Sequence, residues 1–232
     1  MISLDKNQAR TACGRPASAD SLALAGQVAE QLRRQEKYRQ AAQVFLEPSP
    51  LLKQARINAL ADGKILIMPG PGLKEGFYRL DPYRIPFSKL AQAAVGRELP
   101  AFGQKITARR EAALLEIDLL IGEYWAVDER GYGVGEGKGF FDLAVALLAE
   151  LGGLADDCLV MVAVQDRRRL VAKLAVAAWD IAGNAVLTPQ QVFTVDQFQA
   201  RHKGILWEAL GLDRIRRITP LWKLYVEQGR DK

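Results

Sequence analysis

A glycine-rich segment in the middle of the chain most constrains the possible fold. Residues 131–142 have the sequence GYGVGEGKGFFD and lie between an apolar run, residues 117–127, and a helical pattern, residues 140–151. The apolar run is typical of a buried strand, and the pattern after it places leucines on one helix face. The sequence therefore predicts that the glycines form a turn that leads from a strand into a helix N-terminus.

A turn of this kind can bind an anion. The first backbone amides of a helix have no intrahelical partner, and the positive end of the helix dipole points the same way. Glycine lets a phosphate approach the backbone closely, and Lys138 adds a positive charge. Asp142 follows on the first helical turn, so the segment contains the parts of a nucleotide–Mg²⁺ site. A turn that is rich in glycine only for tight packing remains the alternative.

The two common phosphate motifs do not fit this segment. A Walker loop requires Gly-x-x-x-x-Gly-Lys-Ser/Thr, but Tyr132 occupies the first glycine position and Gly139 the hydroxyl position. The dinucleotide fingerprint Gly-x-Gly-x-x-Gly has no match, because the glycines at 135, 137 and 139 alternate with other residues.

The composition narrows the class of protein. Of the 232 residues 49% are hydrophobic, which is enough for one large core or two small ones. No apolar run approaches the roughly 18 residues of a membrane span, and the N-terminus lacks the apolar core of a signal peptide. Two distant cysteines and one histidine, His202, argue against a zinc site and against a histidine-based triad. We expect a cytoplasmic protein with no membrane partner.

The rest of the chain alternates helices and short strands. Strand, helix and strand within residues 42–68 form a βαβ unit, which requires parallel strands. For residues 84–116 the sequence predicts only a short helix near 87–95 and a polar loop. The remaining predicted elements are helices over 20–36, 51–61 and 140–151, strands over 42–46, 64–68, 117–127 and 158–164, and one or two amphipathic helices after 194.

Basic residues are concentrated near the end of the chain, and the net charge is +5. Such a cluster can bind RNA or an acidic surface, or it can be a solvated helix face. The cluster consists of Arg201, Lys203, Arg214, Arg216, Arg217, Lys223 and Arg230.

Residues 135–142, GEGKGFFD, resemble the Gly-x-Gly-Lys/Gly-Gly-Tyr-Tyr-Asp signature of 5-formyltetrahydrofolate cyclo-ligases, also called methenyltetrahydrofolate synthetases. The similarity extends over residues 2–193 and is closest to the divergent, cyclo-ligase-like branch. It implies a Rossmann-like, three-layer α/β domain over residues 1–193, with a mostly parallel sheet and helices on both faces. Residues 194–232 are expected to form a helical extension that packs on the same domain.

The resemblance implies an ATP- and Mg²⁺-dependent ring closure of 5-formyltetrahydrofolate to 5,10-methenyltetrahydrofolate. It assigns catalytic roles to Lys138 and Asp142, with Asp142 as the Mg²⁺ ligand, and it implies a folate-like substrate that contacts Phe140 and Phe141. The ATP-binding residues that it implies are Lys6, Arg10, Gly135, Glu136, Gly137, Lys138 and Gly139.

Three departures from the family pattern leave other functions open. Gly133 stands where family members commonly carry arginine, Phe140 lacks the tyrosine hydroxyl, and residues 50–52 lack the folate-contacting glutamate. The alternatives are a diverged nucleotide-binding or regulatory protein of the same fold and, after it, an RNA-associated protein. A nucleic-acid partner is not expected, and we expect a monomer or a dimer.

Overall fold

The computed structural model describes residues 4–166, 170–171, 173–195 and 204–231. Its helices are α1 (Lys6–Cys13), α2 (Ser18–Arg33), α3 (Glu36–Gln40), α4 (Lys53–Ala61), α5 (Leu90–Ala93), α6 (Leu99–Phe102), α7 (Arg109–Ala112), α8 (Phe140–Leu151), α9 (Leu212–Arg217) and α10 (Thr219–Glu227). Its strands are β1 (Gln43–Leu46), β2 (Ile65–Pro69), β3 (Phe77–Leu80), β4 (Gln104–Ile106), β5 (Ile117–Glu123), β6 (Ala126–Asp128), β7 (Gly133–Val134), β8 (Leu154–Ala163), β9 (Leu170–Val171), β10 (Ala185–Leu187) and β11 (Val192–Thr194).

The main sheet has the strand order β11-β10-β8-β5-β1-β2-β3-β4. Its central strands are parallel, because β1 pairs with β2 and β5 in parallel and β8 pairs with β5 and β10 in the same way. Strands β3, β4 and β11 add antiparallel edges. The order of connection reverses between β1 and β5, and the crevice at such a switch point is where open α/β sheets bind ligands.

Helices cover both faces of this sheet. One face carries α8 and the C-terminal helices, and the other carries α2, α4 and α5. Each face has its own buried cluster, with Leu147, Leu151 and Leu221 in the first and Val28, Leu32 and Leu60 in the second. The predicted three-layer α/β fold with a mostly parallel sheet is therefore confirmed.

Helix α1 packs on a second, three-stranded sheet. Its strand order is β7-β6-β9. The buried side chain of Ala9 in α1 packs on Ala126, Val134 and Leu174. Helix α1 begins where the Asp5 carboxylate accepts hydrogen bonds from the amides of residues 7 and 8, as an N-cap does. The helix is thereby held beside β7, directly before the glycine-rich turn.

The prediction of one continuous strand over residues 117–127 was wrong. The Tyr124 amide makes a last bond to the Ala163 carbonyl, and the Trp125 amide donates to the Val134 carbonyl instead. The chain therefore leaves the main sheet after β5 and enters the small one as β6. The glycine-rich turn follows a hairpin, not the buried strand itself.

Several predicted boundaries also differ from the structure. Helix α2 begins at Ser18, after an extended Ala17, two residues before the predicted start at residue 20. The edge strand β4 was missed, because the residues of Gln104–Ile106 read as polar loop. Strand β8 begins at Leu154, and the prediction placed its start at 158 because its first four residues are half-buried or exposed and do not form an apolar run.

The C-terminal helices are fixed to the body of the protein. The Thr219 amide donates to the Lys74 carbonyl, and the Lys223 ammonium donates to the Thr107 hydroxyl. Arg216 lies over the Trp222 ring.

Residues 201–203, part of the predicted basic cluster, lie outside the described residues. The division of the chain at residue 193 stays a prediction. Within the described parts, no helix has both the length and the apolar character to cross a membrane.

The close contact between β5 and α8 predicts that alanine substitutions at two glycines change the stability of the protein in opposite directions. A Cβ at Gly122 would lie 2.7 Å from the buried Phe141 ring, whereas a Cβ at Gly26, inside α2, meets nothing within 4 Å. We expect Gly122→Ala to lower the free energy of unfolding by about 1–3 kcal/mol through overpacking. Gly26→Ala is expected to raise it by about 0.5–1 kcal/mol. Urea denaturation measures both, and two equal changes would contradict this packing.

Candidate functional site

The glycine-rich turn, residues 135–139, is exposed at its centre and rich in unpartnered amides. Residues 136–138 are exposed, and Gly135 and Gly139 are half-buried. Gly137 and Gly139 have φ of 84° and 58°, which glycine adopts without strain. Among the described residues, the amides of 135–139 donate to no partner. Successive unpaired amides at a helix N-terminus form a concavity suited to an anion.

Two arginines hold the carbonyl groups of this turn. The Arg10 Nε donates to the Gly135 carbonyl at 3.0 Å, and an Arg214 Nη donates to the Lys138 carbonyl at 2.5 Å. None of the described peptide bonds is cis. In a trans peptide the N–H points opposite to the C=O. The amides of Glu136 and Gly139 therefore point away from the two guanidinium groups.

The charged side chains at the tip of the turn lie close together. Lys138 is exposed, and its ammonium lies 3.4 Å from the Glu136 carboxylate. Glu136 also pairs with Arg15 at 3.1 Å. These pairs are exposed and contribute little to stability, so they are readily exchanged for a bound anion. Arg15 was not among the predicted site residues.

A group of one lysine and two carboxylates lies at the start of α8. The Lys6 ammonium is 2.6 Å from the Asp180 carboxylate, whose side chain is only 7% exposed. An Asp142 carboxylate oxygen accepts from the Ile181 amide at 2.9 Å. Burial, and then the neighbouring charge of Asp180, raise the pKa of Asp142, whereas the Lys6 charge opposes this rise. The predicted residues Lys6 and Asp142 are thus brought together, and Asp180 joins them.

Three cavities meet at the glycine-rich turn. Cavity A has a volume of about 290 Å³ and lies between the turn and the end of β1. Cavity B, about 210 Å³, lies between the turn and the C-terminal helices, and cavity C, about 350 Å³, lies beside α1. Asp142 borders all three, and Lys6 and Arg10 border cavity C. The turn is therefore open on several sides.

Two glutamates that the sequence analysis missed line cavity A. Glu47 directly follows β1 and Glu123 ends β5, so both lie at the switch point of the sheet. The Glu47 carboxylate accepts from the Glu123 amide at 2.9 Å. The buried Arg56 of α4 donates to the carbonyls of Glu47 and Ser49 and fixes this loop. For Glu47 the available signal was a carboxylate directly after a predicted strand, whereas Glu123 lay inside the strand predicted over residues 117–127.

The environment of Glu47 changes its proton affinity. Burial raises the pKa of Glu47 to about 7, and the negative charges of Glu123 and Asp142 add to this effect. The hydrogen bond from the Glu123 amide opposes it. A carboxyl with this pKa can exist in both protonation states near neutral pH.

The two phenylalanines predicted to bind substrate have different surroundings. Phe140 is half-buried, and its ring lies below Lys138 and Arg214, whose cationic groups are 6.0 and 5.6 Å from the ring centroid. Phe141 is buried, and its ring packs on Phe45 and Tyr124 in the core. Phe140 is therefore available to a ligand, and the Phe141 ring belongs mainly to the core.

The absence of an arginine at position 133 has a steric reason. A Cβ on Gly133 would lie 2.0 Å from the ring of Tyr124, which is itself buried. No side chain fits there unless the ring moves. The Tyr124 hydroxyl donates to the Ile181 carbonyl, which ties the ring to the loop that carries Asp180.

Comparison with known proteins identifies a protein family that the sequence matches. The sequence profile of the 5-formyltetrahydrofolate cyclo-ligase family matches residues 6–189, more than half of the chain. A methenyltetrahydrofolate synthase domain-containing protein of Danio rerio is 25% identical over 202 residues, 84% of this chain and 52% of that protein. The protein of the same description from Homo sapiens is 25% identical over 195 residues, with coverages of 82% and 50%. The chain spans about half the length of the curated relatives it matches.

A solved structure shares the fold. The NMR structure of Aquifex aeolicus 5,10-methenyltetrahydrofolate synthetase aligns with a TM-score of 0.54 and 19% identity. The alignment covers 85% of this chain and 94% of that one. At this identity the likeness establishes the architecture alone.

The raised pKa of Glu47 predicts a pH-dependent effect of Glu47→Gln. The folded protein binds a proton at Glu47 up to about pH 7 and the unfolded chain only up to about 4.5, so the stability contributed by this group falls as pH rises between these values. Gln keeps the acceptor and has no charge. We therefore expect Glu47→Gln to raise the melting temperature relative to wild type at about pH 8, and less so near about pH 5.

The exposed Glu116 provides the matched control. Glu116→Gln removes an exposed carboxylate outside the three cavities and is expected to leave the melting temperature close to that of wild type. An effect of Glu47→Gln that does not vary with pH would show that Glu47 does not titrate as described.

Proposed function

The chain belongs to the 5-formyltetrahydrofolate cyclo-ligase family, and from this we propose that it is an ATP- and Mg²⁺-dependent ligase that converts 5-formyltetrahydrofolate to 5,10-methenyltetrahydrofolate. One observation carries the proposal: the exposed turn presents unpartnered amides beside the cations Lys6, Arg10 and Lys138. An open, amide-rich turn flanked by cations suits a polyphosphate.

The proposed reaction is a phosphoryl transfer followed by ring closure. The formyl oxygen attacks the γ-phosphorus of ATP, and ADP leaves. The N10 amine then attacks the activated formyl carbon, loses its proton, and phosphate departs to leave the methenyl bridge. Catalysis of this kind consists mainly of positioning the reactants and neutralising charge.

The phosphate half of the site is built from the turn and α1. We assign ATP binding to the amides of residues 135–139 and to the side chains of Lys6, Arg10 and Lys138. Glu136, which pairs with Lys138, releases that lysine when the polyphosphate binds. Lys138 is exposed and has room to follow a transferring phosphoryl group.

The donor set beside the turn fits Mg²⁺. This ion prefers one or two carboxylates together with phosphate oxygens, and Asp142 and Asp180 are two carboxylates near one lysine. Asp142 would hold the ion with Asp180 as its neighbour, and Lys6 would pair with phosphate instead of Asp180. When bound, Mg²⁺ neutralises the charge on the transferring phosphoryl group.

The folate half of the site is cavity A. Its volume of about 290 Å³ is at the low end for a ligand pocket, so it suits the bicyclic ring of a folate and not the whole molecule. Phe140 offers a ring for stacking. Glu47 and Glu123 take the place of the glutamate missing from residues 50–52, since carboxylates accept hydrogen bonds from ring N–H groups.

The cellular setting follows from the same proposal. We assign the protein to the cytoplasm, as a monomer or dimer acting on a small folate-like substrate.

A nucleotide-binding protein without this reaction is the second candidate. The packing of Gly133 against Tyr124 favours it, because the family's arginine is excluded there. In this case the phosphate half is kept and the folate half serves another ligand or none.

A turnover assay tests the proposal directly. With 5-formyltetrahydrofolate and MgATP, we expect the near-ultraviolet absorbance to rise as methenyltetrahydrofolate forms, and we expect no rise without Mg²⁺. No turnover, together with a melting temperature raised by MgATP, would favour the second candidate. Neither turnover nor a thermal shift would overturn both.

Variants of two exposed lysines test the role of Lys138 in this assay, with one lysine as the test position and the other as its control. Lys138→Ala is expected to raise the KM for MgATP about tenfold or more while leaving the melting temperature unchanged, because an exposed side chain contributes little to folding. Lys89→Ala, at an exposed position outside the three cavities, is expected to change neither value.

A further inference from the structure

Arg214 is the point where the C-terminal helices touch the glycine-rich turn. It lies on α9, beyond residue 189, where the family profile ends. Its guanidinium donates to the Lys138 carbonyl and lies 5.6 Å from the centroid of the Phe140 ring. Both contacts are to residues directly beside Gly139, the N-cap of α8.

The surroundings of Arg214 hold its guanidinium in place. Its side chain is half-buried at the rim of cavity B, whereas Arg216 and Arg217 on the same helix are exposed. Among the described residues, no carboxylate lies within ion-pairing distance of Arg214. Helix α9 is itself fixed, because Ile215 is in the core and the next helix is bonded to Lys74. A planar guanidinium that is held in place donates its hydrogen bonds in fixed directions.

We propose that Arg214 is a positioning residue of the phosphate site, which orients the Lys138–Gly139 peptide so that the Gly139 amide faces a bound phosphate. Carbonyl and amide of one peptide point in opposite directions. Holding the carbonyl of Lys138 on the side of α9 therefore turns the Gly139 N–H to the other side, where no described residue accepts from it. The arginine acts through the peptide and not by contact with the phosphate.

This arrangement matches the one made by Arg10 at the other end of the turn. Arg10 fixes the Gly135–Glu136 peptide from α1, and Arg214 fixes the Lys138–Gly139 peptide from α9. The turn is thereby held at both ends in the conformation that leaves its amides outward. Glycines at 137 and 139 have little intrinsic preference for this conformation, so an external constraint is required. The C-terminal segment thus contributes to nucleotide binding.

The test measures binding of inorganic tripolyphosphate by calorimetry to wild type, Arg214→Ala, Arg214→Lys and Arg217→Ala, well below their melting temperatures. We expect Arg214→Ala to lose about 10- to 100-fold in affinity, which corresponds to one charge-assisted hydrogen bond, here the bond from the Gly139 amide to phosphate that is no longer oriented. Arg214→Lys, which keeps a donor but not the planar stack on Phe140, is expected to lose less. Arg217→Ala, on the same helix, is expected to bind like wild type.

The inference rests on the proposed function, and the two can fail separately. Wild type that binds no tripolyphosphate overturns both. Wild-type binding that is unchanged in Arg214→Ala overturns the positioning role and leaves the proposed function in place. If Arg214→Ala does not fold, the comparison of Arg214→Lys with Arg217→Ala decides, and equal affinities overturn the inference.

Discussion

The candidate site depends on the direction of two peptide groups. Arg10 and Arg214 bind the carbonyls of Gly135 and Lys138 from opposite ends of the turn. Because a trans peptide is planar, each bond also fixes the amide that follows. The α/β scaffold supplies the two helices that carry these arginines, α1 on the small sheet and α9 on the face of α8.

Charged side chains of both signs line the cavities around the turn. Cavity A has two glutamates, Glu47 and Glu123, at the switch point of the sheet, and Arg15 and Lys138 line it as well. Cavity C likewise combines a lysine and an arginine with aspartates. Asp142 borders all three cavities and lies where they meet.

Much of this architecture could be predicted from the sequence. The βαβ unit, the helix over 140–151 and its stop at Gly152 follow from periodicity and glycine placement. The split of residues 117–127 could not be predicted, because Tyr124 and Trp125 are as apolar as the strands that they separate, and only the pairing with β7 ends β5. Arg214 could not be recognised either, because its contact spans 76 positions in the chain. Glu47 was recognisable in principle, since it directly follows a predicted strand, but Glu123 was not, because it lay inside the strand predicted over residues 117–127.

The proposed function depends on binding of a polyphosphate by the amides of residues 135–139. The most direct measurement is an NMR titration of the uniformly ¹⁵N-labelled protein with a non-hydrolysable MgATP analogue. We expect the largest amide shifts on residues 135–139, with downfield proton shifts at Glu136 and Gly139. Saturable binding that leaves these amides unshifted while others move would contradict it.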